Sequence, residues 1–431
     1  MVSETLIASA VFLTVIAVII SRKIDEVSAS IFGTVLLVVL LTSYTVEEAF
    51  SYIDWDILGI LLGMWMITGY MIKGGLADAV VTRLIKITDD YRKLIVLLAI
   101  TAGFLSILVD NVLVILLFGS ITLEIARKAK ANPILAVLLV GFSANFMGTA
   151  LLMGDLPPQL LHKIAGAEFI DFIIWQGKLS SFPLLTITFL IVTYLYYRIF
   201  LAKEPNVKVH EEHGANKTNI LLLVTSTLFF IVTVIGMALR PMLGVPLGFI
   251  TIAGASSLAL TIEVLRTKVR DLPGFEEIVA DVEWRALLFY ASLFTLVGAL
   301  EVSGVLERIA ESLISYLAGS PLEAYTVSYW MVAALSTFVE HDALLMTFLF
   351  LVREAAASAG FDPGHLYWGM AWSATLASNM TTAAAPALYV AVVLLEKEGY
   401  KVTGKTFLKY SIPYILLSLI IHYIVTVTLW L

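Results

Sequence analysis

Hydrophobic and polar positions along this chain are segregated on the scale of whole membrane crossings. Apolar runs of about 16–24 residues end at Lys, Arg, Asp, Gly or Pro, and a helix of that length crosses a hydrocarbon layer about 30 Å thick. The pattern predicts an all-α polytopic membrane protein. The predicted spans lie at about 5–20, 28–43, 55–72, 133–161, 180–198, 219–239, 246–265, 284–300, 365–395 and 407–430.

Two further apolar stretches, at about 94–127 and 329–352, predict helical hairpins. Each is interrupted by polar residues, Asp110-Asn111 in the first and Glu340-His341-Asp342 in the second, with no Gly, Pro or polar loop around the tip. Polar backbone turns are tolerated at membrane depth only where protein or a water-filled cavity surrounds them. We therefore expect the hairpins to be re-entrant.

Composition supports the membrane interpretation and narrows the function. Of the 431 residues, 60% are hydrophobic and 14% are charged, whereas soluble proteins have about 45–50% and about 25%. Cysteine is absent, which excludes disulfides, thiolate metal sites and cysteine nucleophiles. The net charge of −7 and the lack of a basic tail give no support to nucleic-acid binding. No hydrolase motif is present, so we do not expect an enzyme.

The basic residues indicate the orientation in the membrane. With both hairpins returning to their own side, most of the 27 Lys and Arg residues fall on one side, which the positive-inside rule makes cytoplasmic. Both termini are then extracytoplasmic, in the plasma membrane. The other side receives Lys163, Lys178, Arg240, Arg308 and Arg353.

The two halves of the chain resemble each other at a shift of about 229–230 residues, the kind of internal repeat that many transporters contain. The matches are Asp54-Trp55 with Glu283-Trp284, Val109-Asp110 with Val339-Glu340, and Asn132-Pro133 with Asp362-Pro363. We predict repeat 1 at 1–201, a cytoplasmic linker at 202–218 and repeat 2 at 219–431. Because each repeat has five spans plus one hairpin, the two must be inverted relative to each other.

After each hairpin comes a long span whose middle is poor helix, at about 133–161 and 365–395. Small, amide and hydroxyl residues clustered there are typical of a broken helix whose half-helix ends bind ions. The candidate cation or substrate ligands are Asp110, Asn111, Asn145, Thr149, Ser378, Asn379, Thr381 and Thr382. Asn145 and Thr149 are four residues apart and would share one face if the helix persists. Buried helix-to-helix hydrogen bonding is the alternative for these neutral residues.

Placing a carboxylate at membrane depth costs free energy, so a carboxylate there indicates either a function or contact with water. Asp110 could bind a cation or carry a coupled proton, or it could sit in a solvated turn. Glu340, His341 and Asp342 bring two carboxylates and an imidazole to one tip and could exchange a proton for a cation, or could form a wet external loop. Asp155 is either a further proton-coupling carboxylate or, as we favour, the N-cap of the half-helix beginning near Pro157.

The stretches SILVDNVLVILLFGSITLEIARK and NPILAVLLVGFSANFMGTALLMGDLPPQLL resemble the ion transporter superfamily, which also contains divalent anion–sodium symporters. The resemblance is greatest to the branch of arsenite permeases, NhaD-type sodium/proton antiporters and the melanosomal P protein. The retained motif residues are Asp110, Asn111, Asn145, Gly148, Thr149, Ala150, Gly154, Asp155, Pro157 and Pro158. In the second half the Glu340-His341-Asp342 tip replaces the usual Asp-Asn tip.

The resemblance implies an elevator-type homodimer in which a mobile region carries both hairpins past a scaffold. The expected function is secondary active transport of a small inorganic ion, foremost a sodium- or proton-coupled cation antiporter. A sodium ion could bind at Asp110, Asn111, Asn145 and Thr149; no other cofactor is expected. The alternatives are arsenite or antimonite efflux, sodium-coupled uptake of a dicarboxylate-like anion, and a passive channel. Anion uptake ranks low because no Arg or Lys falls within the predicted transport core.

Overall fold

The computed structural model describes residues 2–21, 23–208, 218–269, 271–317 and 319–431. Most of the predicted linker 202–218 lies outside the described residues, as do Arg22, Lys217 and Arg270, three of the basic residues that the sequence places on the cytoplasmic side. Within them the chain is mostly helical, with one two-stranded antiparallel pair formed by Ile174–Trp175 (β1) and Lys178–Leu179 (β2).

The helices follow the predicted apolar runs closely. In the first half they are α1 (Val2–Ser21), α2 (Glu26–Leu40), α3 (Val46–Tyr52), α4 (Trp55–Lys73), α5 (Leu76–Ile87), α6 (Tyr91–Ser106), α7 (Asn111–Lys128), α8 (Pro133–Met147), α9 (Leu156–Ala165) and α10 (Ser181–Ile199). In the second half they are α11 (Ile220–Ala238), α12 (Arg240–Leu243), α13 (Leu247–Arg266), α14 (Phe275–Ala280), α15 (Trp284–Val302), α16 (Val305–Leu317), α17 (Pro321–Ser336), α18 (His341–Ala359), α19 (Gly364–Ser378), α20 (Pro386–Lys397) and α21 (Gly404–Trp430).

Seven segments of the described chain are long and apolar enough to cross a membrane, and they include α1, α4, α10, α11, α13, α15 and α21. The prediction of a multi-pass helical membrane protein is confirmed at this level. The predicted span at 28–43 is the shorter apolar helix α2. The stretch 133–161 is divided between α8 and α9, and the stretch 365–395 between α19 and α20.

Helix starts are fixed by polar residues between the apolar runs. Asp54 accepts a hydrogen bond from the backbone N–H of Ile57 at the start of α4, and Asn132 accepts from Ile134 at the start of α8. Such N-caps satisfy backbone donors that the first helical turn leaves unpaired. The polar interruptions in the hydropathy pattern are therefore also the boundaries of the helices.

Large apolar side chains cover the outside of the molecule. Leu6 on α1, Val39 on α2, Ile220 on α11 and Leu260 on α13 are each more than two-thirds exposed. Many large apolar side chains exposed in this way are unfavourable in water, whereas helices satisfy their own backbone groups and so tolerate contact with lipid tails. These faces are consistent with a lipid boundary.

The broken spans and the hairpins meet at the centre of the molecule. Helix α8 packs against both α6 and α7, and α19 packs in the same way against α17 and α18. The two half-helices cross over between the halves: α20 packs on α7 and α8, and α9 packs on α18 and α19. This interlocking brings the two hairpin turns into one region.

Candidate functional site

Both hairpin turns line a single cavity of about 320 Å³. The turn between α6 and α7 contributes Asp110 and Asn111, and the turn between α17 and α18 contributes Glu340, His341 and Asp342. The break between α8 and α9 adds Asp155, and α8 adds Asn145. The structure therefore brings together seven of the residues singled out from the sequence, which lie up to about 230 positions apart along the chain.

The first residue of each turn caps the second helix of its hairpin. Asp110 Oδ1 accepts hydrogen bonds from the N–H groups of Val112, at 2.9 Å, and Leu113, at 3.3 Å. Glu340 accepts from the N–H groups of Asp342, at 3.1 Å, and Ala343, at 2.8 Å. Each carboxylate thus faces the positive end of a helix, which stabilises negative charge.

A short amide network joins the first turn to the break that follows it. Asn111 Nδ2 donates to Asp155 Oδ2 at 3.1 Å and to Asn145 Oδ1 at 3.3 Å. Asp155 also caps α9, accepting from the N–H of Leu156 at 2.9 Å. Position 154 in this break must be glycine, because a Cβ there would lie 2.3 Å from the carbonyl oxygen of Gly148. Asp155 therefore holds the cap position that we favoured while also facing the cavity.

At the second turn a backbone carbonyl group holds the imidazole of His341. Both the N–H and the Nδ1 of His341 lie near the carbonyl oxygen of Ala384, at 3.3 and 3.0 Å. The Nε2 atom on the other side of the ring is 3.5 Å from Asp342 Oδ1. The second oxygen of Asp342 accepts a hydrogen bond from Tyr290 Oη at 3.1 Å. All three side chains of this turn are buried, so the external-loop alternative does not describe their surroundings.

Asn145 also connects the two breaks. Its Nδ2 lies 2.9 Å from Ser378 Oγ and 3.3 Å from both Asn379 Oδ1 and the Thr375 carbonyl oxygen. Thr149 does not continue the face of Asn145, because α8 ends at Met147. Its hydroxyl instead lies 2.6 Å from Thr375 Oγ1. Ser378, Asn379 and Thr149 thus form a layer behind the cavity rather than part of its lining.

Thr381 and Thr382 are not brought to the cavity. Thr381 Oγ1 donates to the carbonyl oxygen of Thr337 at 2.9 Å, which ties the second break to its hairpin turn. Both threonines line a separate depression of about 210 Å³ beside Thr403 and Phe407. The sequence could not separate them from Asn379, because only the path of the break decides which side chains turn inwards.

The lining residues that escaped the sequence interpretation include Glu26, Glu283, Arg285 and Tyr290. The expectation that no Arg or Lys reaches the core is wrong, because Arg285, which the sequence assigns to a cytoplasmic loop, lies in the first turn of α15 at the cavity mouth. Its guanidinium donates to Asp25 and holds the pKa of that carboxyl at about 2, below its usual value. The sequence match of Asp54 with Glu283 between the two halves was the one signal that could have drawn attention to Glu283.

The cavity is strongly acidic. Among the described residues that line it, Arg285 is the one permanently positive side chain, and it is already paired with Asp25. Against it stand six carboxyl side chains, those of Glu26, Asp110, Asp155, Glu283, Glu340 and Asp342. Clefts lined by one sign of charge concentrate ions of the opposite sign. The arrangement is therefore suited to attracting cations and to exchanging protons with them.

Comparison with known proteins places the chain among transporters. The family model described as "CitMHS: Citrate transporter" matches residues 16–377. A 46 kDa membrane protein of Mycobacterium leprae is 24% identical, over 96% of each chain. The P protein of Sus scrofa is 23% identical, over 96% of this chain and 57% of its own. The solved YdaH transporter of Alcanivorax borkumensis shares the fold, with a TM-score of 0.59 at 13% identity over 98% of this chain and 97% of its own.

Proposed function

This chain belongs to the CitMHS citrate transporter family, and from that premise we propose that it is a secondary active antiporter exchanging protons or sodium for a cation. The observation that carries the proposal is the single cavity in which both hairpin turns meet. Its carboxyl groups attract and bind cations, and their partial desolvation suits them to release a proton when a cation arrives. We propose no enzymatic activity.

Within this proposal the two turns have different tasks. Asp110, Asn111 and Asn145 supply carboxylate and amide oxygens, the ligands that hard cations such as sodium prefer. Glu340, His341, Asp342 and Asp155 form the group that exchanges protons for the cation. Thr149, Ser378 and Asn379 support the lining from behind, and Thr381 and Thr382 hold the second break against its hairpin.

We also propose that the chain is built from two inverted repeats, as 1–201 and 219–431. At a shift of 230 residues Asn145 corresponds to Thr375 and Thr149 to Asn379. Asn145 contacts Asn379, the counterpart of Thr149, and Thr149 contacts Thr375, the counterpart of Asn145. A two-fold axis between the repeats requires such reciprocal contacts. The packing of α4 on α13 is matched in the same way by α15 on α2. Inverted repeats of this kind support alternating access, here of the elevator type.

The cavity opens towards the side on which most basic residues lie, which we propose is the cytoplasm. Asp25, Glu26 and Arg285 surround its mouth. Ion pairs between helices respect the predicted sides: Lys73 pairs with Asp281 on one, and Lys163 with Asp54 on the other. We therefore propose an inward-open state in the plasma membrane, with both termini outside, in a homodimer.

A second candidate, transport of an organic anion, is favoured by two observations. The family model is described as a citrate transporter, and Arg285 lies at the mouth, where an entering carboxylate would compete with Asp25 for its guanidinium group. The acidity of the cavity opposes it, because an anion entering alone would face six carboxyl groups. The arsenite permease and NhaD-type branch also remains a proposal.

Flux in proteoliposomes tests the antiporter. We expect a pH-sensitive dye inside the vesicles to report proton movement when sodium, lithium or a divalent cation is added outside. Asp110→Asn should abolish this coupled flux, because asparagine can still cap α7 but carries no charge. Asp90→Asn, at the cap of α6 away from the cavity, is the matched control and should transport normally.

Two outcomes would contradict the proposal. Unchanged coupled flux in the Asp110→Asn variant would remove Asp110 from the mechanism. Accumulation of radiolabelled citrate that depends on Arg285, without any cation-driven proton movement, would favour the anion transporter. Monodisperse elution of each variant in detergent establishes that the comparison is between folded proteins.

A further inference from the structure

Two buried ligand atoms at the second hairpin turn have no hydrogen-bond partner within the described part of the chain. They are His341 Nε2 and Asp342 Oδ1, each on a side chain that is 3% exposed. Both residues line the cavity, and the two atoms lie 3.5 Å apart. Because these two atoms face each other at the cavity, one ligand bound between them would satisfy both.

The surroundings of His341 fix which ring nitrogen carries the proton. Nδ1 lies 3.0 Å from the carbonyl oxygen of Ala384 and 3.4 Å from Glu340 Oε1. Both neighbours are acceptors, so Nδ1 must be the donor. In the neutral ring Nε2 then presents a lone pair towards Asp342, and two acceptors face each other with nothing to join them.

Tyr290 orients the carboxylate in a comparable way. Its hydroxyl donates to Asp342 Oδ2 at 3.1 Å, which leaves Oδ1 directed at His341. A histidine that donates its other N–H to a carbonyl, next to a carboxylate held by its own hydrogen bond, is the outer-shell pattern found around protein metal ions. Ala384 and Tyr290 would be those outer-shell groups here.

The separation of the two atoms fits a shared metal ion better than a hydrogen bond. Two ligands bound at about 2.0–2.1 Å with tetrahedral angles lie roughly 3.3 Å apart, whereas a hydrogen bond between nitrogen and oxygen normally spans about 2.7–3.2 Å. One carboxylate oxygen of Glu340 lies within 4.8 Å of a ring nitrogen of His341 and of a carboxylate oxygen of Asp342. The third position can therefore be completed by Glu340 or by water.

We propose that the second hairpin turn binds a divalent first-row transition-metal cation, with His341 Nε2 and Asp342 Oδ1 as ligands. The inference rests on the proposed cation transport and specifies the class of cation. Imidazole nitrogen favours zinc, cobalt, iron and nickel, whereas all-oxygen sites favour sodium, magnesium or calcium. The first turn has an amide where the second has the imidazole, so the selectivity would be set at the second turn.

Cobalt(II) absorption tests the proposal on the full-length protein in lipid nanodiscs, after removal of any polyhistidine tag. Adding CoCl₂ should produce a saturable visible band from nitrogen and oxygen ligation, displaced by ZnCl₂ but not by MgCl₂ or NaCl. His341→Gln and Asp342→Asn should each abolish the band. Tyr290→Phe should weaken cobalt binding by about 10-fold, the effect expected for an outer-shell hydrogen bond.

His162→Gln is the matched control. The Nδ1 of His162 also lies close to a backbone carbonyl, that of Ala167 at 2.7 Å, but the residue is not part of the cavity lining. Its variant should keep the band. A band that persists in His341→Gln, or one that disappears in His162→Gln, would overturn the proposal.

X-ray absorption of the zinc-loaded wild-type protein provides a test that needs no variant. Imidazole scattering around the zinc is expected, and its absence would overturn the site even if His341→Gln fails to fold. The same protein assayed for flux separates the two proposals. Sodium-driven proton movement without cobalt or zinc binding would refute the metal site alone, whereas metal binding without any coupled flux would refute the antiporter.

Discussion

At the first hairpin turn a carboxylate is followed by an amide, Asp110-Asn111, and at the second by an imidazole and another carboxylate, Glu340-His341-Asp342. The leading carboxylate does the same work in both, accepting two backbone N–H groups at the start of a helix. We interpret this shared feature as serving the local fold, because each carboxylate begins the second helix of its hairpin. The residues that follow are not constrained by capping, and this is where ion selectivity can differ.

The two breaks also differ, and here it is the first half that has the additional carboxylate. Asp155 caps α9 in the first break, while Ala385 occupies the corresponding position before α20 and offers no side-chain cap. The hairpin turn and the break of each half therefore bring two carboxylates to the cavity together, but in the second half both of these lie on the hairpin turn. The carbonyl oxygen of the adjacent Ala384 is the group that holds His341. The second break thus lacks the acid of the first, and the second turn has an oriented imidazole where the first has an amide.

Converting the second turn to the chemistry of the first should have the largest effect. The double variant His341→Asn, Asp342→Val reproduces the Asn111-Val112 sequence and keeps Glu340 as the cap. We expect transport of zinc or cobalt to fall by at least about 100-fold, which is about 2.7 kcal/mol of lost interaction. Sodium-driven proton movement should fall less, because Asp110, Asp155 and Glu340 are retained. Flux of each cation in proteoliposomes measures this. Equal loss for every cation would mean that the turns are not chemically specialised.

Removing the cap of each turn should lower the free energy of unfolding by different amounts. Glu340 is buried and Asp110 is half-buried, so Glu340→Ala leaves two N–H groups without water, whereas Asp110→Ala lets water replace the carboxylate. We expect losses of about 2–4 kcal/mol for Glu340→Ala and about 1 kcal/mol for Asp110→Ala.

Thermal unfolding in one detergent measures the difference between these variants. Glu340→Gln, which keeps an acceptor, should recover most of the loss. Equal destabilisation by the two alanine substitutions would show that burial does not distinguish the turns.

Much of this fold could be predicted from the sequence because hydropathy reports directly on membrane helices. The hairpin turns were recognisable because Asp110 and Glu340 interrupt apolar runs that nothing else interrupts. The contents of the cavity were less accessible. Tyr290 and Arg285 lie on a span that reads as ordinary apolar helix, and their approach to the hairpins depends on packing between distant segments. Thr381 and Asn379 are neighbours in sequence, yet only Asn379 contacts Asn145.

Breaking the ion pair between Asp25 and Arg285 at the cavity mouth should have the smallest effect on transport. This result would exclude the mouth as the proton-sensitive step and leave the two hairpin turns. Because Arg285 holds the pKa of Asp25 at about 2, below the ordinary value of 3.8, the stabilisation is complete above pH 3.8 and is lost as the pH falls through about 2. The pair is therefore unchanged between pH 5 and 8, and as a partly exposed ion pair it contributes only about 0.2–1 kcal/mol.

Asp25→Asn should consequently leave the midpoint of the pH profile of flux where it is in the wild type. Its small destabilisation should disappear in high salt, which screens exposed ion pairs. Flux measured between pH 5 and 8 in matched vesicles is the test. A shifted midpoint would locate the proton-sensitive step at the mouth, whereas an unchanged midpoint leaves it to the carboxyl groups and the imidazole of the two hairpin turns.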